Sequence, residues 1–237
     1  MCGRFALITP PVRLARYFQA VLDDVVEPER APSYNVAPTD PVVGITARTA
    51  PETGEISRLL RGYRWGLIPS WAKDASSGSR LFNARSESVA TKASFRTAFK
   101  SHRILIPADG FYEWRTVKAG SKQPHFFTRA DGQPMAFAGL SEWWRDRRTP
   151  DAAPIRSCTI ITSSAGSDMD GIHDRMPVIL DPSTFDIWLD PTNDDVAELR
   201  SLLRAPPAGT VLHHPVGQQV GNVRNNDPSL VEPVPSV

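Results

Sequence analysis

Hydrophobic and polar residues alternate along most of this chain in short stretches, a pattern typical of half-buried β-strands. Turn-forming residues separate the stretches at positions 51–54, 118–123 and 131–132. A further apolar run covers residues 176–180. The pattern predicts strands at residues 42–47, 56–65, 103–106, 111–116, 125–128, 135–140 and 157–162.

Helical spacing of apolar residues occurs in only a few places. Leu14, Phe18 and Val21 recur at helical intervals and predict a helix over residues 12–22. Strands interleaved with few helices, in no regular βαβ order, predict an α+β fold with a curled, mainly antiparallel sheet and a few peripheral helices. Shorter helices are predicted at residues 95–99, 183–189 and 194–203.

The chain is expected to form a single compact domain over residues 1–230. No segment repeats, and no low-complexity block divides the sequence. The chain after Pro228 is rich in proline, and we expect residues 231–237 to form a loose C-terminal tail.

Composition narrows the classes of function. A hydrophobic content of 41% and a charged content of 22% are ordinary for a soluble protein, and the net charge of +1 provides no global attraction to nucleic acid or to membranes. The two cysteines form no Cys-x-x-Cys pair, so we expect no metal site and no other cofactor. The start of the chain has no secretory signal, and no apolar run is long enough for a membrane span. These features predict a cytoplasmic protein.

Cys2 is the first candidate for chemistry. Removal of Met1 would leave a 1,2-aminothiol, whose amine has a pKa of about 8 and whose thiol has a pKa of about 8.5. Such a pair condenses with an aldehyde to an imine and then closes a five-membered thiazolidine ring. An N-terminal cysteine also serves as an amidohydrolase nucleophile. Position alone leaves both roles open, together with that of an incidental cysteine.

Further candidates lie along the chain, each with an ordinary structural alternative. Glu113 stands between aromatic residues on a predicted strand, where partial burial would raise its pKa, although a surface glutamate fits the same pattern. His173 lies in a polar loop before an apolar run, either as a proton shuttle or bonded to a backbone carbonyl. Asn83 could orient a nucleophile and Arg85 could hold a phosphate, or both could belong to a turn. Cys158 fits the protein core.

The loop at residues 65–71, Trp-Gly-Leu-Ile-Pro-Ser-Trp, is stiff and apolar. Loops of this kind either stack against unpaired bases or plug a core.

Taken together, a series of motifs in this order resembles the SRAP (SOS-response-associated peptidase) family. The matching stretches run through most of the chain: residues 1–5, 35–39, 64–71, 83–87, 106–108, 110–114, 138–140, 160–162 and 172–180.

The resemblance implies a β-barrel-like core with a basic groove for single-stranded DNA. It implies that Cys2, freed of Met1, forms a thiazolidine with the ring-opened aldehyde of an abasic site, and that Asn83, Glu113 and His173 complete the active site. The protein would act as a monomer on DNA in the nucleoid, during the damage response. Contacts to DNA are expected from Arg4, Pro38, Trp65, Leu67, Ile68, Pro69, Arg85, Trp114, Thr162 and Arg175.

Two other classes of function stay open from the sequence. One is a cysteine-type peptidase that removes residues ahead of Cys2. The other is a protein that binds single-stranded DNA without a covalent bond. Lyase activity through the imine, with cleavage of the strand, and reversal of the crosslink are possible accompaniments of covalent capture.

Overall fold

The computed structural model describes residues 2–49, 52, 54–118, 120–149 and 151–235, with no account of the Lys118 side chain. The strands of this part of the chain are β1 Phe5–Leu7, β2 Ala20–Leu22, β3 Ser33–Val36, β4 Pro41–Thr49, β5 Ile56–Trp65, β6 Asn83–Arg85, β7 Arg103–Ala108, β8 Gly110–Lys118, β9 Ser121–Arg129, β10 Met135–Trp144, β11 Ile155–Ser164, β12 Arg175–Pro177 and β13 Val211–Pro215.

The helices are short and lie between strands. They are α1 Pro11–Tyr17, α2 Arg96–Ser101, α3 Phe185–Leu189 and α4 Val196–Ser201. Single 3₁₀ turns cover Ala75–Arg80, Ser167–Met169, Pro182–Thr184, Gln218–Gly221 and Pro228–Val231. No helix in the described part of the chain is long and apolar enough to span a membrane.

Five strands close into a ring in the order β5, β4, β7, β10 and β11. Neighbours in this series pair antiparallel, and the ring closes where β11 pairs parallel with β5, with Cys158 opposite Trp65. Closure leaves the ring without free edges, and its alternate side chains fill the interior. Ile104 and Ile160, which both lie opposite Gly139 and so share a face of the ring, are 0% exposed. The predicted α+β fold with a curled, mainly antiparallel sheet is confirmed.

A second sheet, in the order β13, β9, β8, β1 and β3, brings the start of the chain against β8. Phe5 pairs with Phe111 and Ala6 pairs with Gly110. A Cβ atom on Gly110 would lie 2.4 Å from the ring of Phe126, so only glycine allows this close approach. The pairing fixes the direction in which the residues before Phe5 run along β8.

Most strand predictions are confirmed, with the observed strands a few residues longer. Of the turn predicted at 51–54, Pro51 and Thr53 lie outside the described residues. The helix predicted at 12–22 is wrong in its second half, because α1 ends at Tyr17 and Gln19 takes a positive φ of 52°. The chain then continues as β2, parallel to β5.

The C-terminal segment is held more firmly than predicted. Pro228–Val231 forms a 3₁₀ turn, and Leu230 is 1% exposed. The N–H of Val234 donates to the Pro215 carbonyl at 2.9 Å, so the chain after Pro228 is not loose over this stretch. Residues 236–237 lie outside the described part of the tail.

Candidate active site

The second sheet buries Cys2 completely. Its side chain is 0% exposed, and the N–H of Tyr112 donates to the Arg4 carbonyl at 3.0 Å, which continues the β1–β8 pairing towards the start of the chain. Burial raises the pKa of the Cys2 thiol, and the negative charge of Glu113 raises it further, against a smaller opposing effect of the Arg4 backbone N–H. The thiol is therefore neutral at physiological pH and needs a base before it can react.

Asn83 holds the backbone of Cys2. Its position follows from the parallel pairing of β6 with β11, where Asn83 lies opposite Ile160. Its Nδ2 donates to the Cys2 carbonyl oxygen at 2.7 Å. Its Oδ1 is buried and makes no hydrogen bond among the described residues, so this acceptor is available to a ligand. The structure thus places Asn83 on the carbonyl of Cys2, the candidate nucleophile.

Glu113 is the buried carboxylate of the site. It lies on β8 with a side chain that is 4% exposed, and burial raises its pKa against the opposing effects of neighbouring groups, including His173. The His173 Nε2 lies 3.9 Å from the Glu113 Oε2. A carboxyl group with a raised pKa keeps its proton to a higher pH than an exposed glutamate, which suits it to general acid–base chemistry.

The ring of His173 is oriented by a backbone N–H two residues further along the chain. The N–H of Arg175 donates to the His173 Nδ1 at 2.9 Å. The exposed Asp174 Oδ1 also lies 3.0 Å from Nδ1, but one ring nitrogen cannot both accept from Arg175 and donate to Asp174. The amide is always a donor, so we assign Nδ1 as the acceptor. In the neutral ring the proton then sits on Nε2, which faces Glu113.

Arg175 is held by Thr162 on β11 and by Glu87 in the turn that follows β6. Its Nη2 donates to the Thr162 carbonyl at 2.6 Å and to the Thr162 Oγ1 at 3.2 Å. Both Nη atoms also contact the carboxylate of Glu87. Thr162 is itself 0% exposed, so it anchors Arg175 rather than offering a surface for direct DNA contact. Arg85, opposite Thr162 in the β6–β11 pairing, is exposed.

Arg4 lies on the other side of Cys2 in a polar network. Its Nη1 donates to the Asn35 Oδ1 at 2.8 Å and to the Val220 carbonyl at 2.6 Å, and its guanidinium lies 5.9 Å from the ring centre of Trp114. The Asn35 Nδ2 donates to three backbone carbonyls within residues 220–225. Asn35 therefore ties the C-terminal segment to Arg4.

The loop at residues 65–71 departs from the expected DNA wedge. Trp65, Leu67 and Ile68 are 0% exposed, and Pro69 is buried. The Trp65 Nε1 donates to the Phe82 carbonyl at 2.8 Å, so these apolar residues plug the core instead of facing DNA. The exposed aromatic residue of the loop is Trp71, at 62%. Pro38, also expected to contact DNA, is half-buried.

Two histidines that the sequence pattern gave no role lie close together beside the site, His125 buried and His213 exposed. The His125 Nδ1 lies 3.2 Å from the His213 Nδ1, and His125, opposite Glu113 in the β8–β9 pairing, is 3% exposed. They stand on neighbouring strands far apart in sequence, so only the strand register reveals them. Within the described residues, no group of three or more His, Cys, Asp or Glu side chains is arranged to hold a metal ion.

Comparison with known proteins gives consistent matches over the whole chain. The sequence profile of the family described as SOS response associated peptidase (SRAP) matches residues 1–223. Abasic site processing protein YoqW of Bacillus subtilis is 40% identical, over 98% of this chain and 99% of that protein. Abasic site processing protein YedK of Escherichia coli is 32% identical, over 99% of this chain and 100% of that protein.

A solved structure also matches the fold. The crystal structure of a protein from Bacteroides thetaiotaomicron superposes with a TM-score of 0.85 at 23% identity, over 98% of this chain and 100% of that one. At this level of identity the likeness supports the fold alone.

Proposed function

Because this chain belongs to the SRAP family, we propose that it processes abasic sites by capturing them covalently in single-stranded DNA through Cys2, once Met1 is removed. Relatives over the full length of the chain are named abasic site processing proteins. One observation carries the proposal: Cys2 lies in a buried site with Asn83 on its carbonyl and Glu113 close enough for its charge to raise the thiol pKa.

The proposed reaction starts with the amine of Cys2. Its nitrogen attacks the aldehyde carbon of the ring-opened sugar and gives a carbinolamine. Glu113, whose pKa burial raises, donates a proton as a general acid to the hydroxyl group, which leaves as water. The product is an iminium ion, and Glu113 is now a carboxylate.

The second half of the reaction closes the ring. The Glu113 carboxylate takes the proton of the Cys2 thiol, and the sulfur attacks the iminium carbon. A neutral five-membered thiazolidine forms, and Glu113 is again protonated. Cys2 and the aldehyde therefore combine with the net loss of one water molecule. The order suits a thiol that burial keeps neutral until an electrophile stands beside it.

The remaining residues of the site position the substrate. The Nε2–H group of His173 would donate a hydrogen bond to a sugar hydroxyl. The Oδ1 of Asn83 would accept a hydrogen bond from the Cys2 amine or from the sugar. Exposed Arg85 would contact a flanking phosphate, while Arg4 and Trp114 would support a neighbouring nucleotide.

The test mixes purified protein with a single-stranded oligonucleotide that carries one abasic site. We expect a shifted band on a denaturing gel without added reductant, and an intact mass equal to protein lacking Met1 plus DNA minus one water. Cys2→Ala should give no stable adduct, and an undamaged oligonucleotide serves as the matched control. Failure of a preparation already shown to lack Met1 to form the adduct would overturn the proposal.

The same measurement separates the alternatives. Strand cleavage that rises in Cys2→Ala would show that its N-terminal amine still forms the imine and that the thiazolidine normally suppresses β-elimination. Binding that survives Cys2→Ala and is always reversed by denaturant would instead identify a non-covalent DNA binder. A peptidase would remove an added N-terminal segment autonomously and in a Glu113-dependent manner.

A further inference from the structure

A cleft of about 640 Å³ opens where the start of β4, the end of β5, the end of β10 and the start of β11 come together. Two large apolar side chains in its lining are exposed, Trp143 at 46% and Val25 at 77%. Pro41 and Pro154 add further apolar surface. The volume is that of a ligand site, and exposed apolar side chains gathered in one cleft indicate a binding surface.

The ring of Trp143 lies beside an excess of positive charge. Trp143 stands opposite Arg156 in the β10–β11 pairing, and the Arg156 guanidinium lies 4.8 Å from the ring centre. The Asp23 Oδ2 lies 3.4 Å from the Arg156 Nη1 and 3.0 Å from the Arg61 Nε, so two arginines share one acidic group. An aromatic ring next to unbalanced positive charge is suited to a nucleotide, whose base stacks on the ring and whose phosphate meets the arginine.

One side of the cleft continues the surface around Cys2. Thr39 lines this side and follows Pro38, from which a DNA contact is expected. The φ of Thr39 is 83°, in the left-handed region that a β-branched residue rarely adopts, and strained backbone of this kind clusters at ligand sites. Burial lowers the pKa of Arg4 and the charge of Asp40 opposes that shift, so Asp40, next to Thr39, lies within electrostatic range of Arg4. A strand bound at Cys2 can therefore extend into the cleft.

Resting on the function proposed above, we propose that the cleft binds the single strand beyond the captured site, with one base stacked on Trp143. The charged side chains in the described part of the lining are Arg64 and Arg156, which favours a polyanionic strand over a protein segment. Gly62 leaves room beside β5, since a Cβ atom there would meet nothing within 4 Å.

Trp143→Ala removes the stacking surface while leaving the active site intact. We expect its affinity for a long undamaged single-stranded oligonucleotide, measured by fluorescence anisotropy, to fall about fivefold or more, because base–aromatic stacking is lost. Its rate of adduct formation with an abasic trinucleotide should equal that of wild type, because so short a strand ends before the cleft. The difference between the two substrates locates the effect outside the active site.

Two variants show whether the effect belongs to the aromatic ring of Trp143. Trp143→Phe keeps a ring on which a base can stack, and it should retain most of the wild-type affinity. Leu212→Ala shortens a side chain that is 56% exposed on β13, away from the cleft, and it should bind the long strand as wild type does. Thermal melting curves establish that each variant is folded.

The outcomes separate this proposal from the function on which it rests. If wild-type protein forms the abasic-site adduct but Trp143→Ala binds the long strand as tightly as wild type, the cleft belongs to another partner and capture stands. An equal loss from Leu212→Ala, or no recovery in Trp143→Phe, also overturns the cleft, because the loss would not belong to the ring. If wild-type protein forms no adduct but binds the long strand in a Trp143-dependent manner, capture fails and the cleft stands.

Discussion

At the scale of single residues, Glu113 shows how a chemical role and folding stability oppose each other. Burial raises its pKa, which keeps the carboxyl group protonated at a higher pH than an exposed glutamate. A raised pKa in the folded state contributes stability below the ordinary carboxyl pKa, and that contribution is lost as the pH rises through the folded-state value. At neutral and alkaline pH, Glu113 is therefore a cost to the fold.

We predict that Glu113→Gln slows adduct formation about 100-fold or more, because general acid–base catalysis is lost. The same variant should be more stable than wild type at pH 8, by about 1 kcal/mol, or about 2–4 °C in Tm for a chain of this size. Its DNA affinity should stay nearly unchanged. Gel-based single-turnover kinetics and thermal melting measure the two effects.

Glu142 provides the matched control for this prediction. It is 6% exposed, and burial raises its pKa as well, with His102 opposing the shift. Glu142→Gln should also stabilise the protein at pH 8 while leaving adduct formation unchanged. A Glu113→Gln protein that captures abasic sites at the wild-type rate would show that Glu113 is not the proton donor.

At the scale of elements, the strands were predictable and their partners were not. Alternation identified β4, β5 and the series from β7 to β11, because half-buried strands carry their signal locally. The helix prediction at 12–22 is wrong in its second half because Val21 fits the helical spacing by coincidence. Val21 lies on β2 instead and is 61% exposed. The burial of most of the loop at 65–71 was not predictable, because an apolar loop that plugs the core has the same sequence signal as one that faces a ligand.

The correction to this loop yields a prediction of its own. Trp71 is 62% exposed, so it is the aromatic side chain in the loop that is available for stacking on an unpaired base. Trp71→Ala should weaken binding of a single-stranded oligonucleotide by about 1–3 kcal/mol, roughly fivefold to more than 100-fold, without lowering Tm. Fluorescence anisotropy measures the binding affinity, and thermal melting curves measure Tm.

Trp65→Phe is the contrasting variant in the same loop. It removes the hydrogen bond to the Phe82 carbonyl inside the core, so it should lower Tm while the folded protein binds DNA as wild type does. The reverse result, with binding weakened by Trp65→Phe and not by Trp71→Ala, would restore the wedge that the sequence suggested.

At the scale of the whole molecule, the active site exists because two sheets meet. Cys2 precedes β1 of the second sheet, whereas Asn83 lies on β6, which pairs with β11. The resemblance of local motifs was sufficient to nominate Cys2, Asn83, Glu113 and His173. Their distances and the proximity of His125 to His213 depend on strand register, which no local stretch of sequence encodes.

The His125–His213 pair should control how the stability of the whole fold changes with pH. Burial, followed by the charge of His213, lowers the pKa of His125 to about 4, and burial also lowers the pKa of His213. In the unfolded chain both residues regain the ordinary imidazole value of about 6.5. Between pH 6.5 and about 4, the unfolded state therefore binds more protons, and stability falls as the pH falls through this window.

We predict that His125→Gln flattens this acid dependence, because it removes the imidazole whose pKa is lowered to about 4. Denaturant unfolding at pH 7 and at pH 4.5 should show a smaller loss of unfolding free energy for the variant than for wild type. His102→Gln, at an exposed histidine, should leave the wild-type difference intact. The comparison uses the difference between two pH values, so a general loss of stability from filling the buried position with glutamine cancels. Equal pH dependence in all three proteins would mean that the His125–His213 pair already carries a proton in the folded state at pH 4.5.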